Sequence, residues 1–311
     1  MLKYLVIQLD DTSVSYCHYH NPMTQRRLMP LDVLKEGVFW AMKENLMIQF
    51  VFPDYSLPDE WLDVIESVEH SKIIPLGQDF NADVIVAQTW DDLDKINVRD
   101  VSVVFRIAKE DFLKNYERII PALNKITNLN IVFTDICKFS EGDFNLYKTV
   151  LGKISEQVRI LYVKNEFIWL NILTGRMLLS KMNNCNAGWE SVTLAPDAKF
   201  YVCPAFYLEH DGYVIGDLWT GLDIKNPQLY CIDYAPICKR CDAYQCRRCV
   251  WLNRKMTLEI NTPSHEQCVI SHLERNASQR LLATIRTERS FLVGREIPII
   301  DYLDPIENIE E

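Results

Sequence analysis

The chain has 311 residues, of which 48% are hydrophobic and 24% are charged, and its formal net charge is −10. These proportions are typical of a soluble globular protein, and the length allows one large domain with a smaller one. The negative charge argues against broad binding to nucleic acid or to an anionic membrane, and no apolar run reaches the roughly 18–20 residues that cross a bilayer.

The N-terminal segment, residues 1–11, is too short an apolar stretch for a signal peptide and has no small-residue cleavage site. We therefore expect it to form the first β-strand, and we expect the protein to stay in the cytoplasm. In that reducing compartment, clustered cysteines are more often metal ligands or redox groups than disulfides. Eight of the ten cysteines lie between Cys185 and Cys268, so the chain changes character near residue 180.

The first 180 residues alternate between short β-rich runs and amphipathic helical patterns. The predicted strands are residues 4–9, 48–52, 72–76, 83–87, 101–107 and 130–135. The predicted helices are residues 31–45, 58–69, 111–127 and 143–158. Strands rich in Val, Ile and Phe, with helices between them, predict an α/β fold with a parallel sheet or a partial (β/α) barrel.

Residues 184–263 differ, because turn residues are frequent and helical periodicity is weak. A small loop-rich region buries little apolar surface by itself, and metal ligation is the usual remedy. Ser264 and Gln267 have capping-box spacing, which predicts a helix from there to about residue 289. We expect three segments: 1–180, 181–275 and 276–311, the last a C-terminal helix with an acidic tail that frays.

A dense cysteine run lies in the middle of this region. Its spacing is C-x2-C-x4-C-x2-C, formed by Cys238, Cys241, Cys246 and Cys249, and Cys268 follows after 18 intervening residues. Soft thiolates suit iron, and a cubane cluster needs four ligands around a compact body. Three close cysteines and one remote cysteine can supply these ligands. The spacing therefore predicts an iron–sulfur site.

Zinc is the main alternative for the same cysteines. Two C-x2-C pairs that share one zinc ion usually lie about 15–20 residues apart, whereas here only four residues separate them. That spacing is cramped for a tetrahedral site, so iron–sulfur is favoured over zinc. Buried thiols without any metal are the remaining alternative.

Two further cysteines extend the pattern upstream. Cys185 and Cys203 have 17 residues between them, with a turn predicted at residues 196–199. All seven cysteines in this order resemble the SPASM domain, the C-terminal extension of radical S-adenosylmethionine (SAM) peptide maturases. The family has glycine where Ala198 stands, and slightly wider spacings in the central run. The resemblance covers about residues 180–272.

The resemblance implies two auxiliary 4Fe–4S clusters. The implied ligands are Cys185, Cys203 and Cys249 for the first cluster, and Cys238, Cys241, Cys246 and Cys268 for the second. The family often has another ligand just upstream of the first cysteine, but residues 177–184 contain none. The first cluster therefore has an open iron, recruits Cys231, Cys137, a histidine or a bound peptide thiol, or is incomplete or absent.

Basic residues crowd the central run. They are Lys239, Arg240, Arg247, Arg248, Arg254 and Lys255. Such cations can compensate the negative charge of a thiolate-bound cluster and tune its potential, or they can dock an acidic leader peptide. We interpret them as local charge compensation.

The first half lacks the motif with which radical SAM enzymes bind their catalytic cluster, C-x3-C-x2-C after the first strand. Here Ser13, Cys17 and His20 occupy the three positions, and the glycine-rich strand end that receives SAM is also absent at residues 50–54. The sequence thus indicates a degenerate radical SAM barrel, for which we expect no SAM binding. The alternatives are a Ser/Cys/His cluster site, a Cys/His zinc site, and ordinary polar roles for His18 and His20.

A barrel without its SAM loop, followed by SPASM-type cysteines, resembles the CXXX-repeat peptide maturase family. Residues 190–196, 201–207 and 238–249 carry the resemblance, together with the opening segment 4–19. It implies a partial (β/α) barrel of radical SAM type without the SAM cluster motif, then a small loop-rich SPASM-like domain and a C-terminal helix. It also implies an accessory protein that works with a radical SAM maturase on a ribosomal peptide with cysteine at every fourth residue.

Three functional hypotheses follow. The first is an iron–sulfur accessory protein that transfers electrons or holds the substrate peptide. The second is a metal-stabilised scaffold or peptide-binding module with no redox role, and the third is an autonomous SAM-using enzyme, which the lost motif disfavours. No Ser/His/Asp triad, phosphate-binding glycine loop or nucleotide fingerprint is present, so we assign no catalytic residue.

Overall fold

The computed structural model describes residues 2–78, 81–209 and 213–308. The chain forms two compact units, which we call unit 1 (Met1–Val86 with Asn186–Ala235) and unit 2 (Ala87–Cys185 with Pro236–Glu311). Residues 309–311, the end of the expected acidic tail, lie outside the described residues. No helix in the described part of the chain is both long enough and apolar enough to span a bilayer.

Strands and helices alternate through most of the chain. The strands are β1 (Tyr4–Gln8), β2 (Met47–Val51), β3 (His70–Pro75), β4 (Val84–Ala87), β5 (Ser102–Ile107), β6 (Asn128–Phe133), β7 (Trp169–Leu170), β8 (Ser191–Leu194), β9 (Lys199–Tyr201), β10 (Val214–Asp217) and β11 (Gly221–Leu222). The α-helices are α1 (Leu31–Lys43), α2 (Asp59–Glu66), α3 (Trp90–Lys95), α4 (Lys109–Asn115), α5 (Ile119–Ala122), α6 (Glu141–Val163), α7 (Asn171–Leu178), α8 (Pro204–Leu208), α9 (Val250–Thr257) and α10 (His265–Glu288).

In unit 1, β1 is the central strand of a parallel group. It pairs with β2 on one side, with Val6 opposite Gln49, and with β8 on the other, with Val6 opposite Thr193. Leu5 and Ile7 are completely buried, as expected for a strand covered on both faces. Beyond β2 the order continues through β3 to β4, and beyond β8 the strands β9, β10 and β11 are antiparallel.

In unit 2, β6 lies between β5 and β7, and both pairings are parallel. One face of these strands is aromatic, with Phe133 edge-on to Phe112 of α4 and to Tyr147 of α6 at centroid distances of 5.2 and 5.5 Å. The long helices α6 and α10 pack against each other, and α7 packs against α10. These contacts form the core that supports the cysteine run.

The predicted strands and the predicted C-terminal helix are confirmed. The Ser264 hydroxyl caps α10 by accepting a hydrogen bond from the Gln267 N–H at 3.3 Å. The single helix predicted over residues 111–127 is wrong, because the chain forms α4, a 3-10 turn at Tyr116–Arg118 and the short α5. Pro121 lies in the first turn of α5, where its missing N–H costs nothing.

Candidate metal centre

Four of the predicted cluster ligands line one cavity in unit 2. Its wall is formed by Met182, Ile237, Cys238, Cys241, Ala243, Cys246, Arg248, Pro263, Gln267, Cys268, Ser271, His272 and Pro305. The four cysteines are those that the sequence resemblance assigns to the second cluster. The remaining wall is mostly apolar, so the cavity keeps bulk water away from the sulfur atoms.

Local backbone structure places these thiols. Cys238 begins a 3-10 turn, and the Cys241 N–H closes it on the Cys238 carbonyl at 3.2 Å. The Cys246 N–H donates to the Ala243 carbonyl at 2.9 Å and makes a second tight turn. Cys268 lies in the first turn of α10, so a compact loop and one helix supply the set.

Polar groups of the wall face the sulfur atoms. The Ala243 N–H donates to Cys241 Sγ at 3.4 Å, and Gln267 Nε2 lies 4.0 Å from Cys246 Sγ. His272 Nε2 lies 3.7 Å from Cys241 Sγ, while its Nδ1 lies 3.1 Å from the Cys268 carbonyl oxygen. A carbonyl only accepts, so Nδ1 of His272 carries a hydrogen and donates it.

Burial controls the protonation of the four thiols. It raises the pKa of Cys241 to about 11 and raises the pKa values of Cys246 and Cys268 further. Burial also raises the pKa of Cys238, although the charge of Arg248 opposes the shift. The thiols are therefore neutral in the metal-free chain, and metal binding would release their protons.

The residues present fit an iron–sulfur cluster. In a cubane each thiolate binds its own iron, so the sulfur atoms need only surround a shared body, and N–H donors to sulfur are the usual supporting groups. Four thiols around one cavity, with N–H groups of Ala243 and Gln267 beside them, meet this requirement. Among the described residues, no three His, Cys, Asp or Glu side chains are grouped closely enough to share a single metal ion.

An ion-pair network of two buried arginines and the partly exposed Asp242 holds the ligand loop. Asp242 accepts hydrogen bonds from Arg275 of α10 at 2.9 and 2.7 Å and from Arg176 of α7 at 3.1 Å. Burial would raise the pKa of Asp242, but the two arginines outweigh burial and lower it. The Asp242 carboxylate is thus charged. Through it, the loop next to Cys241 is attached to both α7 and α10.

The basic residues of the run differ in their burial. Arg248 is buried on the cavity wall and donates to Asn261 Oδ1 at 2.7 Å, and Arg247 donates to Asn130 Oδ1 of β6 at 2.7 Å. Lys239 and Arg240 are exposed. Arg247 and Arg248 therefore brace the loop.

Two of the three residues predicted for the first cluster lie close together in unit 2. The exposed Cys185 thiol donates to the carbonyl oxygen of Arg248 at 3.5 Å, and Cys249 follows Arg248 directly. Cys249 Sγ accepts the Leu252 N–H at 3.5 Å and caps α9. Cys203 belongs to unit 1, at the start of α8.

The two cysteines considered as extra ligands lie in different units. Cys231 is buried in unit 1, after a 3-10 turn. Cys137 is half-buried in unit 2, where burial raises its pKa and a hydrogen bond with Ser264 opposes the shift. That either cysteine is a ligand of the first cluster remains a prediction.

The loop after β1 holds the three residues at the radical SAM ligand positions. Ser13 is buried, its hydroxyl donates to the Val51 carbonyl at 2.9 Å, and it accepts the Asp10 N–H at 3.0 Å. Cys17 is half-exposed and His20 is exposed. Ser13 therefore acts as a structural link between this loop and the end of β2.

Carboxylates reinforce the same loop. Asp10 accepts hydrogen bonds from the Thr12 N–H and the Tyr55 hydroxyl, both at 2.8 Å. Asp11 accepts a hydrogen bond from the Tyr207 hydroxyl and lies 3.4 Å from Arg27. Burial and the neighbouring carboxylates raise the pKa values of both tyrosines. A polar network thus fixes the loop where radical SAM enzymes place cluster ligands.

Sequence reasoning missed Arg176, Arg275 and Asp242 as parts of the site. Arg176 lies within an apolar segment, 172–178, that forms the unpredicted helix α7. A charge in such a segment is a signal, because buried charges are nearly always paired. Its partner could not be identified from spacing, since Asp242 lies 66 positions after Arg176.

The comparisons with known proteins agree on the fold. No family model matches the sequence, and no curated protein is significantly similar to it. The structure of hexahistidine-tagged anSMEcpe with bound AdoMet superposes with a TM-score of 0.63 at 10% identity, covering 92% of this chain and 96% of that one. Native anSMEcpe with bound AdoMet and the Cp18Cys peptide gives a TM-score of 0.62 at 11% identity, with 92% and 100% covered.

A more distant similarity is to Streptococcus suis SuiB bound to precursor peptide SuiA, with a TM-score of 0.48, 12% identity, and 86% and 76% covered. The likeness to anSMEcpe shows the fold class. The chain has an α/β fold with a largely parallel sheet, as predicted, and this fold matches that of anSMEcpe.

Proposed function

We propose that this protein is an iron–sulfur accessory protein in the maturation of a ribosomally made cysteine-repeat peptide, acting with a radical SAM maturase. The fold similarity to anSMEcpe, one structure of which contains a peptide, supports a peptide-related role. The resemblance of residues 190–196, 201–207 and 238–249 to CXXX-repeat peptide maturases supports the cysteine-repeat substrate.

One observation carries the proposal: Cys238, Cys241, Cys246 and Cys268 line a single cavity. These residues would hold a 4Fe–4S cluster, which supplies one-electron redox chemistry when bound. Gln267 and the Ala243 N–H would orient the sulfur atoms, and the apolar wall would exclude water.

We propose that Cys185, Cys203 and Cys249, the residues assigned to the first cluster by the resemblance, hold that cluster with fewer than four protein ligands. Cys185 is exposed, so this site would be accessible to a peptide thiol. A peptide with regularly spaced cysteines suits such a site, because thiolates are the preferred ligands of iron–sulfur clusters. The protein would thus either transfer electrons or bind the substrate peptide during maturation.

SAM chemistry is assigned to the partner maturase. The buried hydrogen bonds of Ser13 with Val51 and Asp10 occupy the hydroxyl at the first ligand position. The supporting carboxylates Asp10 and Asp11 are likewise engaged by Tyr55 and Tyr207. The hydrogen bonds of this loop therefore support a structural role.

Peptide binding tests this function. The anaerobically purified protein should bind a synthetic peptide with cysteine at every fourth residue, measured by fluorescence anisotropy, and the same peptide with serine in place of cysteine should bind at least tenfold more weakly. Equal binding of both peptides, or of neither, contradicts the substrate-holding role and leaves electron transfer as the proposed role. Cys185→Ser should weaken binding without unfolding the chain, because Cys185 is exposed.

The alternative is a metal-stabilised scaffold, favoured by the network that fastens the ligand loop to α7 and α10. In that case Cys185→Ser and Cys246→Ser would lower thermal stability and peptide processing in parallel. A folded variant that no longer supports processing by the maturase would favour the active role.

A further inference from the structure

The ion-pair network beside the cavity contains more positive than negative charge. Arg275 pairs with Asp242 Oδ2 at 2.7 Å, and Arg176 pairs with the same oxygen at 3.1 Å. Two guanidinium groups thus share one carboxylate. The triad formed by Arg176, Asp242 and Arg275 carries a formal net charge of +1.

This surplus charge is buried. Arg275 is 1% exposed and Arg176 is 4% exposed. The other partners of Arg275 are neutral: the Pro298 carbonyl at 2.6 Å and Asn276 Oδ1 at 3.1 Å. Nη1 of Arg176 is buried and has no hydrogen-bond partner in the described part of the chain. The Arg176 guanidinium also lies 4.3 Å from the centroid of the Tyr244 ring, but the ring has no formal charge. A formal charge of +1 therefore remains, and an anion nearby would be favourable.

Neighbouring ionisable groups do not supply that anion. Burial raises the pKa of Glu274 to about 8, which leaves it mostly protonated at neutral pH, and its carboxyl is hydrogen-bonded to Tyr147 at 2.8 Å. His272 has an imidazole side chain, which cannot supply a negative charge. Asp304 is paired with His265 at 2.6 Å.

The cysteine cavity is the adjacent place where negative charge can form. Asp242 is bonded directly to Cys241 and Ala243, both on the cavity wall, and Arg275 lies one helical turn after Ser271, also on the wall. Four thiolates around a 4Fe–4S core of charge 2+ give a net charge of about −2. A cavity of neutral thiols would leave the triad uncompensated.

We propose that the Arg176–Asp242–Arg275 triad is the fixed counter-charge of an anionic iron–sulfur cluster held by Cys238, Cys241, Cys246 and Cys268, and that it raises the reduction potential of that cluster. The inference rests on the proposed cluster site and goes beyond it, because it assigns residues that set the potential. Nearby positive charge favours the reduced, more negative state.

Two substitutions change the charge of the triad in opposite directions. Asp242→Asn makes the triad more positive, and Arg176→Met makes it neutral. At a fixed potential, the ratio of reduced to oxidised cluster should rise about tenfold in the first variant and fall about tenfold in the second, a shift of about 59 mV each. A merely structural role would not give shifts of opposite sign.

Redox titration of the anaerobically purified full chain, followed by electron paramagnetic resonance, measures both shifts. Arg176→Lys keeps the charge and should have the wild-type potential. Arg280→Met is the matched control, because Arg280 is an exposed arginine of α10 that forms no ion pair within the described residues. It should not change the potential.

The outcomes separate this inference from the proposed function. Wild-type protein without iron overturns both. A wild-type cluster whose potential moves in the same direction in Asp242→Asn and Arg176→Met, or no more than in Arg280→Met, overturns the counter-charge alone. If Asp242→Asn loses its cluster, Arg176→Met decides: a lowered potential that Arg176→Lys restores supports the proposal, and any other result contradicts it.

Discussion

Ser13 and Val51 are joined by a buried hydrogen bond of 2.9 Å, from the serine hydroxyl to the carbonyl oxygen at the end of β2. The same hydroxyl accepts the Asp10 N–H at 3.0 Å. One small side chain thereby ties the loop after β1 to the neighbouring strand. In the radical SAM pattern that the sequence resembles, this position carries a cluster ligand.

Ser13→Ala should lower the free energy of unfolding by roughly 1–3 kcal/mol, because it leaves the buried Asp10 N–H without its partner and removes one of the two donors to the Val51 carbonyl. Urea denaturation measures the change. Ser67→Ala is the matched control: Ser67 donates to a backbone carbonyl at 2.7 Å on the surface, and its loss should cost less than about 0.5 kcal/mol. Equal effects for the two variants would show that the Ser13 link has no special role.

Ala198 has a left-handed backbone, with φ of 63°, in the turn between β8 and β9. A residue with a side chain pays roughly 1–2 kcal/mol to adopt that conformation. Glycine avoids this cost, but its greater conformational entropy in the unfolded state offsets part of the gain in stability. Ala198→Gly should therefore raise the free energy of unfolding by roughly 0.5–1 kcal/mol. Ala283→Gly, on the exposed face of α10, should lower it by about 1 kcal/mol. Denaturation curves in which Ala198→Gly is less stable than Ala283→Gly would contradict the left-handed conformation of Ala198.

Gly175 of α7 permits close packing of the ligand loop. A Cβ there would lie 2.5 Å from Gln245 Cβ, next to Cys246. Gly175→Ala should displace the loop, destabilise the protein by roughly 1–3 kcal/mol and reduce bound iron. Gly152→Ala in α6 is the control, since its Cβ meets nothing within 4 Å. Gly152→Ala should raise the free energy of unfolding by about 1 kcal/mol and should not change the amount of bound iron. Iron assays that do not distinguish the variants would argue against this packing.

Glu274 predicts a specific pH dependence of stability. Burial raises its pKa from 4.5 to about 8, so the folded state binds more protons than the unfolded state between these values. Its contribution to stability is complete below about pH 4.5 and is lost as the pH rises to about 8. Glu274→Gln keeps an oxygen for the Tyr147 hydroxyl and should remove this loss.

Relative to the wild type, Glu274→Gln should thus become more stable between pH 5 and pH 8, by roughly 1–3 kcal/mol at the upper end. Urea midpoints at several pH values give the comparison. A constant difference between variant and wild type across this range would mean that Glu274 is ionised throughout.

The strands were predictable because each is a short apolar run between turn or helix signals, as in β1 and β6. The helix α3 was missed because it has only six residues, and its start depends on the capping box between Thr89 and Asp92. Helix α7 was missed because Thr174, Gly175 and Arg176 interrupt its apolar pattern. The helical structure of this segment therefore depends on its tertiary packing against α10.

The candidate site was predictable only where ligands are close in sequence. The spacing of Cys238, Cys241 and Cys246 indicated one site, and the family resemblance added Cys268. Nothing in the spacing could identify Arg275 or Arg176, because their contact with Asp242 depends on how α10 and α7 pack. That Ser13 is a structural link also required the hydrogen bonds of the folded loop.

The central claim is that the cysteine cavity of unit 2 holds an iron–sulfur cluster. Iron and acid-labile sulfide analysis of anaerobically purified protein, with absorption near ~400 nm, tests it most directly. The account predicts about eight irons and eight sulfides per chain if both clusters form, or about four of each if only the second does, and it predicts that Cys246→Ser loses the second cluster. Colourless protein that contains zinc, or neither metal, would contradict it.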